Sequence, residues 1–301
     1  MQLWIPITLF AAFAQNLRFM LQKHLKATQL TTGGATFARF VFAAPIAVAA
    51  VFVLAFFGWN IPRPTGATWI YVPIGGLAQI TATMLVVALL AERNFAVGIT
   101  LKKTETMLTA LSGMLVLGDA ISLGAFIAIL LGLFGVVLLS DPPKSEGLTW
   151  QQRIFNKASG YGVGAGAIFA ISAVCYRGAS LSLSDGDFII RAILTLAFVT
   201  VFQSIAMALW LRWREPGEIT RVFRVWRVTA LVGVSGVLGS AGWFMAFTLQ
   251  NAAYVKALGQ IELLFTFIAS YFFFKEQISK REFIGASLIV FSILLLVLMI
   301  S

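Results

Sequence analysis

Long apolar runs recur in this chain from its first residues to its last, and the polar breaks between them are too short to house a second kind of domain. No other feature limits the fold as much. Each run is near or above the roughly 20 residues that an α-helix needs to cross the hydrocarbon core of a bilayer. Of the 301 residues, 59% are hydrophobic and 11% charged, against roughly 25% charged in an ordinary soluble domain. Lipid is therefore the expected solvent. Backbone groups in lipid need internal partners, and runs of this length are too long for barrel strands, so the segments are expected to be helices.

Reading between the polar breaks places spans near residues 3–22, 31–57, 67–91, 95–117, 120–140, 158–180, 186–211, 226–250, 252–274 and 278–300. The expected fold class is an all-α integral membrane protein of about ten transmembrane helices. Residues 1–140 would form a first five-helix unit, 141–157 a cytoplasmic connector and 158–301 a second five-helix unit. Met1 to Trp4 offers no basic n-region, so the first run reads as a span rather than a leader.

A single cysteine, Cys175, and a single histidine, His24, leave few ligands for zinc or iron–sulfur chemistry, so no cofactor or metal is expected. The net charge of +10 does not call for nucleic acid, because the basic residues sit at the ends of apolar runs. Lys23, Lys26, Arg93, Lys144, Arg153, the cluster Arg212 to Arg227, Lys275, Lys280 and Arg281 fall on the odd-numbered connections. Positive-inside logic puts those loops in the cytoplasm and both termini outside, in a multi-pass protein of the cell inner membrane.

The two halves align. A single ungapped shift that pairs Trp69 with Trp226 also pairs Gly76 with Gly233, Asn94 with Asn251, Ala96 with Ala253, Leu101 with Leu258, Glu105 with Glu262 and Asp119 with Glu276. Two units with an odd number of spans enter the membrane from opposite sides, which makes an inverted-topology repeat with its site near the midplane.

With this duplication on the page, the chain resembles the drug/metabolite transporter superfamily, specifically the ten-helix EamA-type permeases. The local match is an acid at the junction of the last two spans of each half, followed by a glycine-bearing helix. Here those stretches are Leu117-Gly118-Asp119 with Gly132 and Gly135, and Phe274-Lys275-Glu276 with Gly285. Many members carry a proline in the fourth and ninth helices where this chain has Glu105 and Glu262. The resemblance implies a basket of helices around a central cavity, alternating access and metabolite transport.

Ionisable groups inside spans are costly and hence candidates for function. Glu105 and Glu262 lead, as groups that exchange a proton or pair with a substrate ammonium. The structural alternative is a set of ion pairs, Lys102 and Lys103 with Glu105 and Lys256 with Glu262. Lys102 lies three residues before Glu105 and can share its face, whereas Gly259 and Gln260 stand at the matching places before Glu262. Glu262 is therefore favoured for proton or cation handling, and Lys102 with Glu105 for binding a carboxylate or locking a state. Gln15, Asn16, Gln79, Thr83, Ser172 and Tyr176 are candidates to complete the cavity, with Trp243 and Tyr254 as an aromatic wall; interhelical hydrogen bonding is the alternative for the polar ones. Arg39 and Arg191 read as interface anchors that snorkel. Gly233, Gly236, Gly239 and Gly242 recur every third residue and, with Gly160, Gly162, Gly164 and Gly166, would allow close helix approach.

No HExxH pair or phosphate loop occurs, so an enzyme and an ATP-driven pump are both disfavoured. The expected function is secondary active transport of a small metabolite, with amino acids or related amines first and proton coupling through Glu262. The alternatives are a facilitator or exchanger of a larger anionic metabolite, such as a vitamin or nucleotide conjugate, and a membrane-embedded lipid-handling protein. Expected partners are the substrate and the bilayer, with a homodimer compatible.

Overall fold

A computed structural model describes residues 2–92, 102–139, 157–275 and 280–300. The described residues are helical, with no strand among them. In chain order they form α1 (Trp4–Thr28), α2 (Thr32–Phe56), α3 (Gly66–Glu92), a 3-10 turn at Lys102–Thr104, α4 (Glu105–Leu117) and α5 (Leu123–Leu139). There follow α6 (Lys157–Leu181), α7 (Phe188–Arg214), the short α8 (Glu218–Arg224), α9 (Trp226–Leu249), α10 (Ala252–Leu258), a second 3-10 turn at Gly259–Ile261, α11 (Glu262–Phe272) and α12 (Lys280–Ile300). Arg93, Asn94, Ala96, Leu101, Lys144, Arg153, Glu276 and nearly all of the expected connector lie outside the described residues.

Local chemistry sets the helix ends. The Thr31 hydroxyl accepts from the Gly34 amide at the start of α2, Asp187 accepts from Ile189 at the start of α7, and Asn251 accepts from Ala253 at the start of α10. Each satisfies an amide that the first helical turn leaves without a partner. Gly118 closes α4 at φ 67, a left-handed conformation that a Cβ would strain.

Among the described residues six helices are long and apolar enough to cross a membrane: Thr32–Phe56, Gly66–Ala91, Gly160–Leu181, Phe188–Arg214, Trp226–Leu249 and Ala252–Ala269. Large apolar side chains such as Phe52, Phe56, Leu115, Leu209 and Phe283 are exposed, as lipid-facing helix surfaces require. The first expected span falls on α1, which is 25 residues long but carries the buried Gln15, Asn16, Arg18 and Gln22. The ninth run, Ala252–Ala269 among these six, contains a 3-10 turn and returns to α-helix at Glu262; the described part of the fourth run opens on a 3-10 turn that leads into α4 at Glu105.

The helices of the two halves interlock. α3 of the first half packs along α6 of the second, and α9 of the second along α1 of the first; α2 faces α7, and α5 faces α12. Glycines permit these approaches. A Cβ at Gly76 in α3 would stand 2.7 Å from Phe202 in α7, and one at Gly242 in α9 would stand 2.8 Å from Ala11 in α1. Gly236 and Gly239 press on the side chains and backbone of α1 and α2 in the same way, so the regular glycine spacing of α9 serves close packing.

Candidate functional site

The two 3-10 turns meet in the middle of the bundle. A Cβ on Gly166 in α6 would fall on Thr104, on the Lys102 carbonyl and on the Glu105 amide, so α6 packs directly on the backbone of the first turn. Gly259 in the second turn lies under the indole of Trp243, where any side chain would collide. A 3-10 turn inside a longer helical run often marks a hinge. Here both turns carry or precede the buried carboxylates.

The ion pairs cross between the halves, contrary to the expected pairing. Lys103 Nζ donates to Glu262 Oε2 at 2.5 Å, and Lys102 Nζ lies 3.4 Å from both Glu262 oxygens. Gln15 Nε2 in α1 donates to the same carboxylate at 3.1 Å, and Lys103 also reaches the Gly259 carbonyl at 3.3 Å. Glu105, expected to pair with Lys102 and Lys103, is paired instead with Lys256 of α10. Sequence neighbours lost to tertiary neighbours because the turns bring residues about 160 positions apart face to face. The Lys102 ammonium also lies 4.4 Å from the ring centroid of Phe19, and Lys256 lies 4.5 Å from that of Trp243. Such faces stabilise a desolvated cation.

Around these pairs is a cavity of about 20 Å³, lined among others by Gln15, Gln79, Lys102, Glu105, Ser172, Tyr176, Ser240, Trp243 and Lys256. That is room for roughly one water molecule and far below the roughly 300 Å³ of a small-ligand pocket. The Trp243 indole N–H, in the cavity wall, is buried and without a hydrogen-bond partner among the described residues.

The other sequence candidates separate into groups. Gln79 accepts from Tyr176 at 3.0 Å and from Gln203 at 2.9 Å, a small network joining α3, α6 and α7 at the cavity edge. Thr83, one helical turn on from Gln79 in α3, accepts from Arg39 at 3.0 Å and does not line the cavity. Asn16 donates to Thr266 at 2.6 Å, tying α1 to α11 away from the cavity lining. The Gln260 amide lies beside Gly132 of α5 rather than in the cavity. Tyr254 receives the Ser122 amide at 3.3 Å and packs against the core cluster that holds Trp243, but it does not line the cavity. Arg39 is not an interface anchor: it is buried and donates to Thr83 and to Ser240 at 3.3 Å. Arg191 is partly buried, with its Nε on the Ser180 carbonyl.

Sequence reasoning passed over Arg18, Gln203 and Ser240. Arg18 was within its reach, because a guanidinium in the middle of the first apolar run meets the same rule that selected Glu105.

Residues 156–298 match the EamA-like transporter family. The resemblance read from the two halves is thus supported over the second of them, and together with the long apolar helices it points to a multi-pass membrane protein. Twenty-eight solved chains match this chain. One of them, described only as a crystal structure of a protein, has a TM-score of 0.65 at 16% identity, with 98% of this chain and 97% of that one covered. At that identity the likeness shows the fold alone. No curated protein matches.

Proposed function

We propose that this EamA-like protein is a ten-span secondary transporter that exchanges small organic anions by alternating access between two inverted five-helix repeats. Two features support the repeat. The shift that aligns the sequences also superimposes the 3-10 turns, Lys102–Thr104 on Gly259–Ile261, and the third helix of each half packs on the first helix of the other. The distribution of basic residues supports cytoplasmic odd-numbered loops and both termini outside.

The observation that carries the choice of substrate is the charge around the central cavity. Among the described residues Arg18, Arg39, Lys102, Lys103 and Lys256 are buried or nearly so there, against Glu105 and Glu262; the other buried carboxylate, Glu218, lies in α8 and is paired with Arg221. Uncompensated charge in a low-dielectric interior is costly. An anion would relieve that excess, whereas an amine, or a proton on Glu262, would enlarge it. The anionic alternative is therefore preferred over amines and over proton coupling at Glu262. Exchange follows from the same argument, because a carrier holding its anion reorients with less unbalanced charge than an empty one.

The test is counterflow in proteoliposomes with labelled organic anions, amino acids and amines. Anion uptake stimulated by unlabelled anion on the opposite side is expected. Uptake of amines, or anion flux indifferent to the opposite side, would overturn the reading.

A further inference from the structure

Arg18 and Arg39 differ from the other buried cations in having no carboxylate partner among the described residues. Arg18 is 1% exposed; its Nη1 donates to Gln22 at 2.7 Å and its Nη2 has no partner. Arg39 is 3% exposed and is held only by the hydroxyls of Thr83 and Ser240. The two side chains come together across Gly236: a Cβ there would stand 3.2 Å from Arg39 Cγ and 3.4 Å from Arg18 Cδ. Two neighbouring guanidiniums repel, and in a membrane interior neither gains hydration. A forked oxyanion satisfies a guanidinium by accepting parallel N–H bonds on its two oxygens, and Arg18 Nη2 is the buried donor left without a partner beside the Arg39 stem.

This pair adjoins the central site. Ser240, which accepts from Arg39, also lines the cavity. Gln15, which lines the cavity and holds Glu262, is three residues before Arg18 on α1 and so on the same face. The ring of Phe19 is shared: Arg18 Cζ lies 4.0 Å from its centroid and Lys102 Nζ 4.4 Å. One aromatic ring is thus in contact with a cation of each group, a span that a short carbon chain bridges.

We propose that Arg18 and Arg39 form a second oxyanion subsite, so that the transported anion is a small dicarboxylate with one acid at the arginines and the other at Lys102 and Lys256. This rests on the anion reading above and narrows it. It assigns the arginines a ligand, and it makes the distance between two acids the basis of selection.

The experiment measures binding of succinate, glutarate and adipate, and of butyrate, valerate and hexanoate, to the full chain in nanodiscs. Native protein is expected to prefer at least one dicarboxylate over its monocarboxylate counterpart by tenfold or more. Arg18→Lys and Arg39→Lys keep the charge but lose the fork, and in each the preference is expected to fall to within threefold of unity. The native comparison needs no variant, so a variant that fails to fold leaves it standing. Equal native affinity for the two series, or a preference kept in both variants, overturns the subsite while leaving an anion carrier. Binding of amines with no binding of either acid series overturns the anion reading as well.

Discussion

The two 3-10 turns share a plan and differ in charge. The first carries Lys102 and Lys103, three and two residues before Glu105; the second carries Gly259 and Gln260 before Glu262, with its lysine, Lys256, a full turn earlier. Each carboxylate is neutralised by the other half. Glu262 takes both lysines and Gln15, whereas Glu105 takes Lys256 alone. A duplication that kept its acids and moved its bases thus ties the halves by unequal bonds. The two glutamates are equivalent by sequence and unequal in what they hold together.

The sharpest break in that comparison is a removal on each side. Glu262→Ala strands two buried ammonium groups, and loss of one partner of a buried pair costs about 3–5 kcal/mol. Lys256→Met strands the single carboxylate of Glu105, beside a lysine that is already 11% exposed, and about half that loss is expected. Thermal unfolding in one detergent compares them, and equal losses would make the two glutamates equivalent in fact.

Packing gives the next largest effect. Gly166→Ala pushes on backbone atoms of the first turn, which cannot yield without moving the turn, so about 1–3 kcal/mol of destabilisation is expected. Gly259→Ala meets the Trp243 ring edge, a side chain with more freedom, and a smaller loss is expected in the same assay.

A double-mutant cycle sharpens the exchange of partners. Lys103→Gln and Glu262→Gln together are expected to cost less than the two separately by about 0.5–3 kcal/mol, the range for groups in contact. Lys103→Gln with Glu105→Gln, two residues apart in sequence but paired elsewhere, is expected to add within about 0.5 kcal/mol. Coupling in the second cycle and none in the first would restore the local pairing. The smallest effect is expected for Asn16→Ala, which removes one α1–α11 hydrogen bond, worth about 0.6 kcal/mol on average within a membrane. A loss of several kcal/mol there would move Asn16 from packing to the central site.

Much of this organisation was legible in the residues. Glu105, Glu262, Lys102 and Lys103 were marked by the cost of charge in lipid, and all four are buried. What failed was the assignment of partners. Spacing along a helix made Lys102 the natural mate of Glu105, but spacing is silent about which residues another helix brings to the same point. Arg39 was misread for a related reason: a long stem near a helix end can snorkel in isolation, and only the packing of α9 against α2 encloses it. Gln260 looked equivalent to Lys103, yet it is directed at Gly132, where the absence of a side chain on α5 leaves space for it.

By itself the sequence determined that the chain belongs in lipid and that its segments are helical. These follow from local and obligatory physics, since each stretch of backbone in hydrocarbon has to satisfy its own polar groups. The tertiary structure alone decided which charges neutralise one another, that two arginines share one glycine with no carboxylate hydrogen-bonded to either among the described residues, and that the cavity between the halves is small. Those depend on contacts between helices far apart in the chain, and a buried ion pair is set by where its partner lies in space rather than along the sequence.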